Sequence, residues 1–155
     1  MLDIISVETD YGLLSIETFS TLSGLVSHER REKTARIRHK QTAVNTLMSE
    51  VVARTAICVR MGIKNEELEM QPDEHGKPHP VNLPGVHYNV SHSGNLVVCA
   101  VDDSPVGIDV ELIKAANLRV AERYFCGEEN RVQGRGACCQ KSAISWLTRL
   151  FKRWV

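Results

Sequence analysis

The chain has 155 residues, 43% hydrophobic and 25% charged, with 19 basic side chains against 19 acidic ones. That size and mix describe one ordinary soluble domain, or a domain with a short appendage, and exclude a disordered polyampholyte. No apolar run approaches the roughly 20 residues of a membrane helix, Met1-Leu-Asp-Ile lacks the basic start of a secretory signal, and five cysteines without a C-x-x-C pair speak for reduced thiols in a cytoplasm.

Leu2–Val7 and Leu13–Phe19 read as strands separated by a turn at Asp10-Tyr-Gly12. Ser27 is a natural N-cap, with Glu29 in the first turn, for helix running from about His28 to Met61 as one piece or two. Ala43, Leu47 and Val51, with Arg54 next in the series and Met48, Val52 and Ile57 alongside, form the stripe of a helix packed on a sheet. Gly62 is its stop. Arg30, Arg31, Lys33, Arg36, Arg38 and Lys40 make a basic cluster near its start, which reads as a solvated helix face or as a phosphate-binding surface. Leu68–Gln71 could add a strand before a turn at Pro72–Gly76, and Lys77-Pro-His-Pro80 is barred from helix by its two prolines. Val86–Val90, Leu96–Val101 and Val106–Val110 then follow as a meander, with turns at Ser93-Gly94 and at Asp102–Pro105. Asn117–Phe125 reads as a helix, and Ser142–Trp154 as a basic amphipathic one. From Asn130 onward there are six bases and no acid. The organisation is therefore an α+β domain over residues 1–129 and an atypical basic tail over 130–155.

Three polar groups sit where a core-building strand would not place them. In Gly107-Ile-Asp-Val-Glu111 the alternation of strand side chains puts Asp109 and Glu111 on one face, about 7 Å apart along the strand. Paired carboxylates of that kind suit Mg²⁺, although a solvated strand face is the commoner origin of such a pair. Asn89-Val-Ser-His-Ser-Gly94 gathers hydroxyls, an imidazole and a glycine turn, which serve either a phosphate or an ordinary hairpin. Lys77 before Pro78 is held extended.

Together, Lys77-Pro78, Tyr88-Asn-Val-Ser-His-Ser-Gly94, Gly107-Ile-Asp-Val-Glu111 and Ala121-Glu-Arg-Tyr-Phe125 resemble the 4′-phosphopantetheinyl transferases, in particular the N-terminal half of the large Sfp-type branch. The resemblance covers roughly residues 25–129. It implies a small mixed or antiparallel sheet packed on a long helix. It also implies Mg²⁺-dependent transfer of the phosphopantetheine arm of coenzyme A to a serine of an acyl or peptidyl carrier protein. Asp109 and Glu111 would hold the metal, with His92 beside them in the catalytic set. Arg30, Lys33, Thr46, Lys77, Pro78, Ser91 and His92 would form the coenzyme A site. A carboxylate near the metal would take the serine proton, directly or through water. The implied setting is the cytoplasm, in fatty acid, polyketide or nonribosomal peptide synthesis, with a homodimer left open. A coenzyme A or carrier-protein binder without turnover is the alternative. Nucleic-acid binding is disfavoured by the neutral charge and 5% aromatic content.

The large members continue with W-x-x-K-E-x-x-x-K, whose glutamate is the third metal ligand. Here Trp146-Leu-Thr-Arg149 keeps the tryptophan and a cation without the glutamate, and Asn45 stands where an arginine is common. The expectation is a shifted reading frame or a truncated product from about Asn130, with activity impaired accordingly.

Overall fold

The computed structural model describes residues 1–74, 76–112 and 146–152. In chain order they form β1 (Asp3–Glu8), a 3-10 turn at Tyr11–Leu13, α1 (Ile16–Gly24), α2 (His28–Ala35) and α3 (Lys40–Met61). A second 3-10 turn (Asn65–Glu67) leads to β2 (Met70–Pro72), β3 (Pro78–Pro80), β4 (His87–Ser93), β5 (Leu96–Asp102) and β6 (Val106–Leu112), and β7 spans Trp146–Lys152. Nearly all the described residues, within Met1–Glu111 and from Thr148 to Lys152, belong to one compact unit.

The central sheet of that unit is antiparallel in the order β1-β5-β4, and α3 lies across all three strands. Its packing face follows from the register. Val7 stands opposite Val97 and Val97 opposite His92, while Ile5, Cys99 and Val90 form the next row and Val101 and Tyr88 the one after. Against these rows α3 sets Val52, Ala53, Ala56 and Ile57. Each fully buried valine or isoleucine side chain contributes about 1.5–3 kcal/mol of hydrophobic stabilisation. Burial also pushes the Cys99 thiol up to about 12, so that residue acts as a small apolar group. The α+β class, with a small sheet on one long helix, is as the sequence implies.

The long helical stretch is two helices. Ser27 caps α2 by accepting the Arg30 N–H at 3.2 Å, and His39 Nδ1 caps α3 by accepting the Thr42 N–H at 3.3 Å. Gly62 ends α3 in the left-handed region at φ 66°, which an L side chain rarely adopts. The buried stripe is centred on Val44, Leu47, Val52 and Ala56, with Ala43 and Val51 at its margins.

Three expectations are corrected. Leu13–Phe19 is not a strand: Ser15 accepts the Thr18 N–H at 3.0 Å and Glu17 lies in the first turn, so this apolar run with its β-branched residues opens α1 instead. No meander β4-β5-β6 forms, because β6 lies against β4 and not against β5. The Asn89 and Ser91 side chains receive backbone N–H groups of β6 at residues 108 and 110, and β6 pairs with β7. The region expected as a basic amphipathic helix over 142–154 contains that strand, with Trp146, Leu150 and Phe151 in a run that suits β structure as well as helix. The helix expected at 117–125 and most of the 130–155 tail lie outside the described residues.

Replacing Ile57, which has no exposed surface, by alanine is expected to lower stability by about 2–5 kcal/mol. Val59→Ala, two residues on at a position 71% exposed, should shift it by less than about 0.5 kcal/mol. Urea denaturation of the two variants measures both.

Candidate active site

Because strand side chains alternate, β4 sends its polar residues to two places. Tyr88, Val90 and His92 belong to the face turned towards α3. Tyr88 and Val90 enter the core, and His92 at the exposed end lines a cleft of about 340 Å³. Arg30 from α2, Ser49, Glu50 and Ala53 from α3, and Lys77 and Pro78 complete much of the cleft's lining.

Lys77 is held by the strand it faces. Its N–H donates to Asp73 Oδ1 at 2.8 Å, which closes the turn before β3. Its ammonium donates to the Tyr88 carbonyl at 3.2 Å and lies 5.6 Å from the centre of the Tyr88 ring. Tyr88 in turn donates its hydroxyl to the Pro78 carbonyl at 2.5 Å. Burial raises the pKa of that phenol, which keeps it a protonated donor. The lysine immediately before β3 is thus held at both its backbone and its ammonium.

Arg30 is placed by a carboxylate that sequence reasoning missed. Glu50, in the middle of α3 with its side chain 3% exposed, accepts Arg30 Nε at 3.0 Å and Arg54 Nε at 3.0 Å. It also accepts the Ser27 N–H at 2.8 Å and the Ser27 hydroxyl at 3.1 Å. Burial alone would raise the Glu50 pKa, but the Ser27 N–H and the two guanidinium groups together hold it below the ordinary carboxylate value. The signal was available: an acid inside an apolar stripe with an arginine four residues on. Asn45, where the sequence loses an expected arginine, has a different job. Buried on α3, it accepts from Thr9 Oγ1 and Gln41 Nε2, each at 2.9 Å, and donates to the Gly94 carbonyl at 2.8 Å. The β4–β5 turn is thereby fixed to the helix.

The other parity of β4 meets β6. Ser91 Oγ accepts the Val110 N–H at 3.1 Å and donates to Asp109 Oδ1 at 2.9 Å, while Ser93 Oγ donates to Glu111 Oε2 at 3.1 Å. Asn89 Oδ1 accepts the Ile108 N–H at 3.3 Å. The partners stay 18 or 19 residues apart, so β6 follows β4 in the same direction. Ile108 and Val110 are buried and Asp109 and Glu111 exposed. The two acids therefore share one face, bonded to the serines on either side of His92. Among the described residues no group of three or more His, Cys, Asp and Glu is arranged so that it could hold a metal ion by itself. Two carboxylates with adjacent hydroxyls fit a hard cation that keeps waters and takes further oxygens from a ligand, as Mg²⁺ does.

The sequence-predicted residues thus separate. Arg30, Lys77, Pro78 and His92 share the cleft, whereas Ser91 is engaged with Asp109 and β6. Lys33 is exposed on the last turn of α2, and Thr46 is buried on α3 one turn before Ser49 and Glu50; neither is among the residues lining the cleft.

Residues 15–104 match the family described as 4′-phosphopantetheinyl transferase, N-terminal. The chain belongs to the 4′-phosphopantetheinyl transferase family. Over 116 residues it is 39% identical to the 4′-phosphopantetheinyl transferase ffp of Bacillus subtilis and 38% identical to Sfp of Bacillus subtilis strain 168, covering 75% of this chain and 52% of each relative. It is 33% identical over 137 residues to gsp of Aneurinibacillus migulanus, covering 88% of this chain and 55% of that one. The chain therefore spans about half the length of these curated relatives. The family match takes in the cleft residues from Arg30 to His92 and ends before Asp109.

A carboxyl whose folded pKa is depressed stabilises the protein above its unfolded pKa, and the contribution is lost as pH falls through the folded value. Glu50→Gln is accordingly expected to cost about 3 kcal/mol at neutral pH, because two partly buried guanidinium groups lose their counter-charge. The gap between wild type and variant should narrow below about pH 4, the ordinary carboxylate range. Denaturant midpoints measured from pH 7 down to pH 3 check it.

Proposed function

We propose that the chain takes part in transferring the 4′-phosphopantetheine arm of coenzyme A to a serine of a carrier protein, in the cytoplasm. The single observation that carries this reading is the convergence of Arg30, Lys77 and His92 on one cleft, with the paired acids Asp109 and Glu111 bonded to the serines flanking His92. A cleft with a guanidinium, an ammonium and an imidazole on its wall suits a polyanion, and phosphates are among the anions such forks and point charges bind. The oxygen-only donor pair on β6, joined to β4 through the serines flanking His92, suits Mg²⁺, which when bound would neutralise charge on a diphosphate.

In the proposed reaction the serine hydroxyl of the carrier forms a bond to the phosphorus next to the pantetheine. The bond from that phosphorus to the bridging oxygen breaks, releasing adenosine 3′,5′-bisphosphate, and the serine proton passes to a carboxylate of the Asp109–Glu111 pair, directly or through water. Arg30, Lys77 and His92 hold the phosphates in place. Lys77 is poised for this by its brace on Tyr88 and Pro78, so little side-chain ordering is left to be done on binding. Ser91 and Ser93 keep the two acids turned to the same face.

Incubating the full chain with coenzyme A, Mg²⁺ and an apo carrier protein should give the mass gain of phosphopantetheine on the carrier. Chelation of Mg²⁺ or Asp109→Ala should reduce it by at least about a hundredfold, the scale of losing electrostatic stabilisation of the transition state. Coenzyme A binding without any transfer would replace this reading by that of a non-catalytic binder.

A further inference from the structure

We infer that Glu50 is a positioning residue: it fixes Arg30 in the anion-binding cleft while leaving the charge and the outer donors of that arginine for the ligand. This rests on the coenzyme A reading of the cleft given above. The geometry is specific. Glu50 takes Arg30 through Nε alone, and among the described residues neither Nη group of Arg30 is held by a protein acceptor. A bidentate pair would have occupied two of the five guanidinium donors; this side-on contact occupies one and aims the rest.

Charge completes the arrangement. A buried carboxylate beside a binding cation would ordinarily cancel it. Here the other oxygen of Glu50 is matched by Arg54, whose Nη1 donates to Asn65 Oδ1 at 3.2 Å and to the Leu68 carbonyl at 3.4 Å. Arg54 thus spends Nε and Nη1 on partners within the fold, and it lines a separate cavity with Leu25, Val51 and Asn65 and not the cleft. One carboxylate and two guanidinium groups leave a net positive charge, and it is Arg30 that presents it. Ser27 sets the backbone to match. The residue that caps α2 through the Arg30 N–H is itself bonded twice to Glu50, so the helix carrying Arg30 starts where α3 dictates.

The experiment combines an NMR measurement on the free protein with a binding cycle. In wild type the Arg30 Nε–H should be a resolved resonance protected from solvent exchange. It should be lost in Glu50→Gln and retained in part in Glu50→Asp, with the backbone spectrum otherwise preserved. The dissociation constant of coenzyme A should rise about tenfold in Glu50→Gln, the scale of one charge-assisted hydrogen bond. It should rise at least as much in Arg30→Met, and Arg30→Met/Glu50→Gln should bind no worse than Arg30→Met alone. Free exchange of the Arg30 Nε–H in wild type, or losses that add in the double variant, would overturn the inference. Wild type with a protected Nε–H and no affinity for coenzyme A would support the hold of Glu50 on Arg30 and overturn only the identity of the ligand.

Discussion

The period-two alternation of β4 is the constraint on which the arrangement depends. Seven residues, His87–Ser93, must pack a helix on one side and receive a strand on the other. Tyr88 and Val90 supply the packing, and Asn89, Ser91 and Ser93 supply hydrogen bonds to β6. A slip of one residue would drive two serines and an asparagine into the apolar face under α3 and put a tyrosine and a valine against the β6 backbone. The two-residue turn at Gly94-Asn95 prevents that slip. Gly94 provides the positive φ of 59°, and Asn45 and Thr9 hold the turn to the rest of the fold through its carbonyls.

The second element of order is electrostatic and is buried. Taking a carboxylate out of water costs several kcal/mol, and its return depends on filling its lone pairs. Glu50 has four donors on two oxygens, from Ser27, Arg30 and Arg54. The network adds little net stability compared with apolar side chains of equal volume, but it does what apolar packing cannot. It fixes the direction of a guanidinium at the wall of a cleft, and it ties α2, which has only Thr34 buried, to α3. A helix with so little apolar contact depends on its polar connections.

The sequence was legible where local chemistry decided the outcome. Ser27 and Gly62 marked their helix ends, the two prolines after Lys77 kept that segment extended, and alternation in Gly107–Glu111 correctly separated exposed Asp109 and Glu111 from buried Ile108 and Val110. It misled where one composition serves two structures. Leu13–Phe19 has strand-like residues, but the Ser15 cap commits it to helix. Long-range pairing was out of reach. Nothing in Val106–Leu112 says that it will bind β4 through side chains instead of joining β5, since that depends on which polar side chains β4 turns outward. The contact of Glu50 with Arg30 was hidden for the same reason. Arg30 and Glu50 are 20 positions apart, and only the folding of α2 back along α3 brings them together. Of the site, the residue types and the acid pair were readable, and the separation of Ser91 from the cleft was not.

In the proposed reaction the same alternation assigns different work to the two sides of one strand. The cations of the cleft bind charge that is present before and after transfer, and a uniform contact of this kind favours binding without favouring the chemical step. The acid pair with its cation would meet charge that develops as the phosphorus–oxygen bond breaks, where stabilisation accelerates the step. Neighbouring residues on β4 lie about 3.3 Å apart along the strand, so one short strand can keep the two kinds of contact within the span of a diphosphate. His92 between Ser91 and Ser93 stands at that spacing. It lines the cleft while its neighbours hold Asp109 and Glu111, so moving either set would disturb the other through the backbone they share.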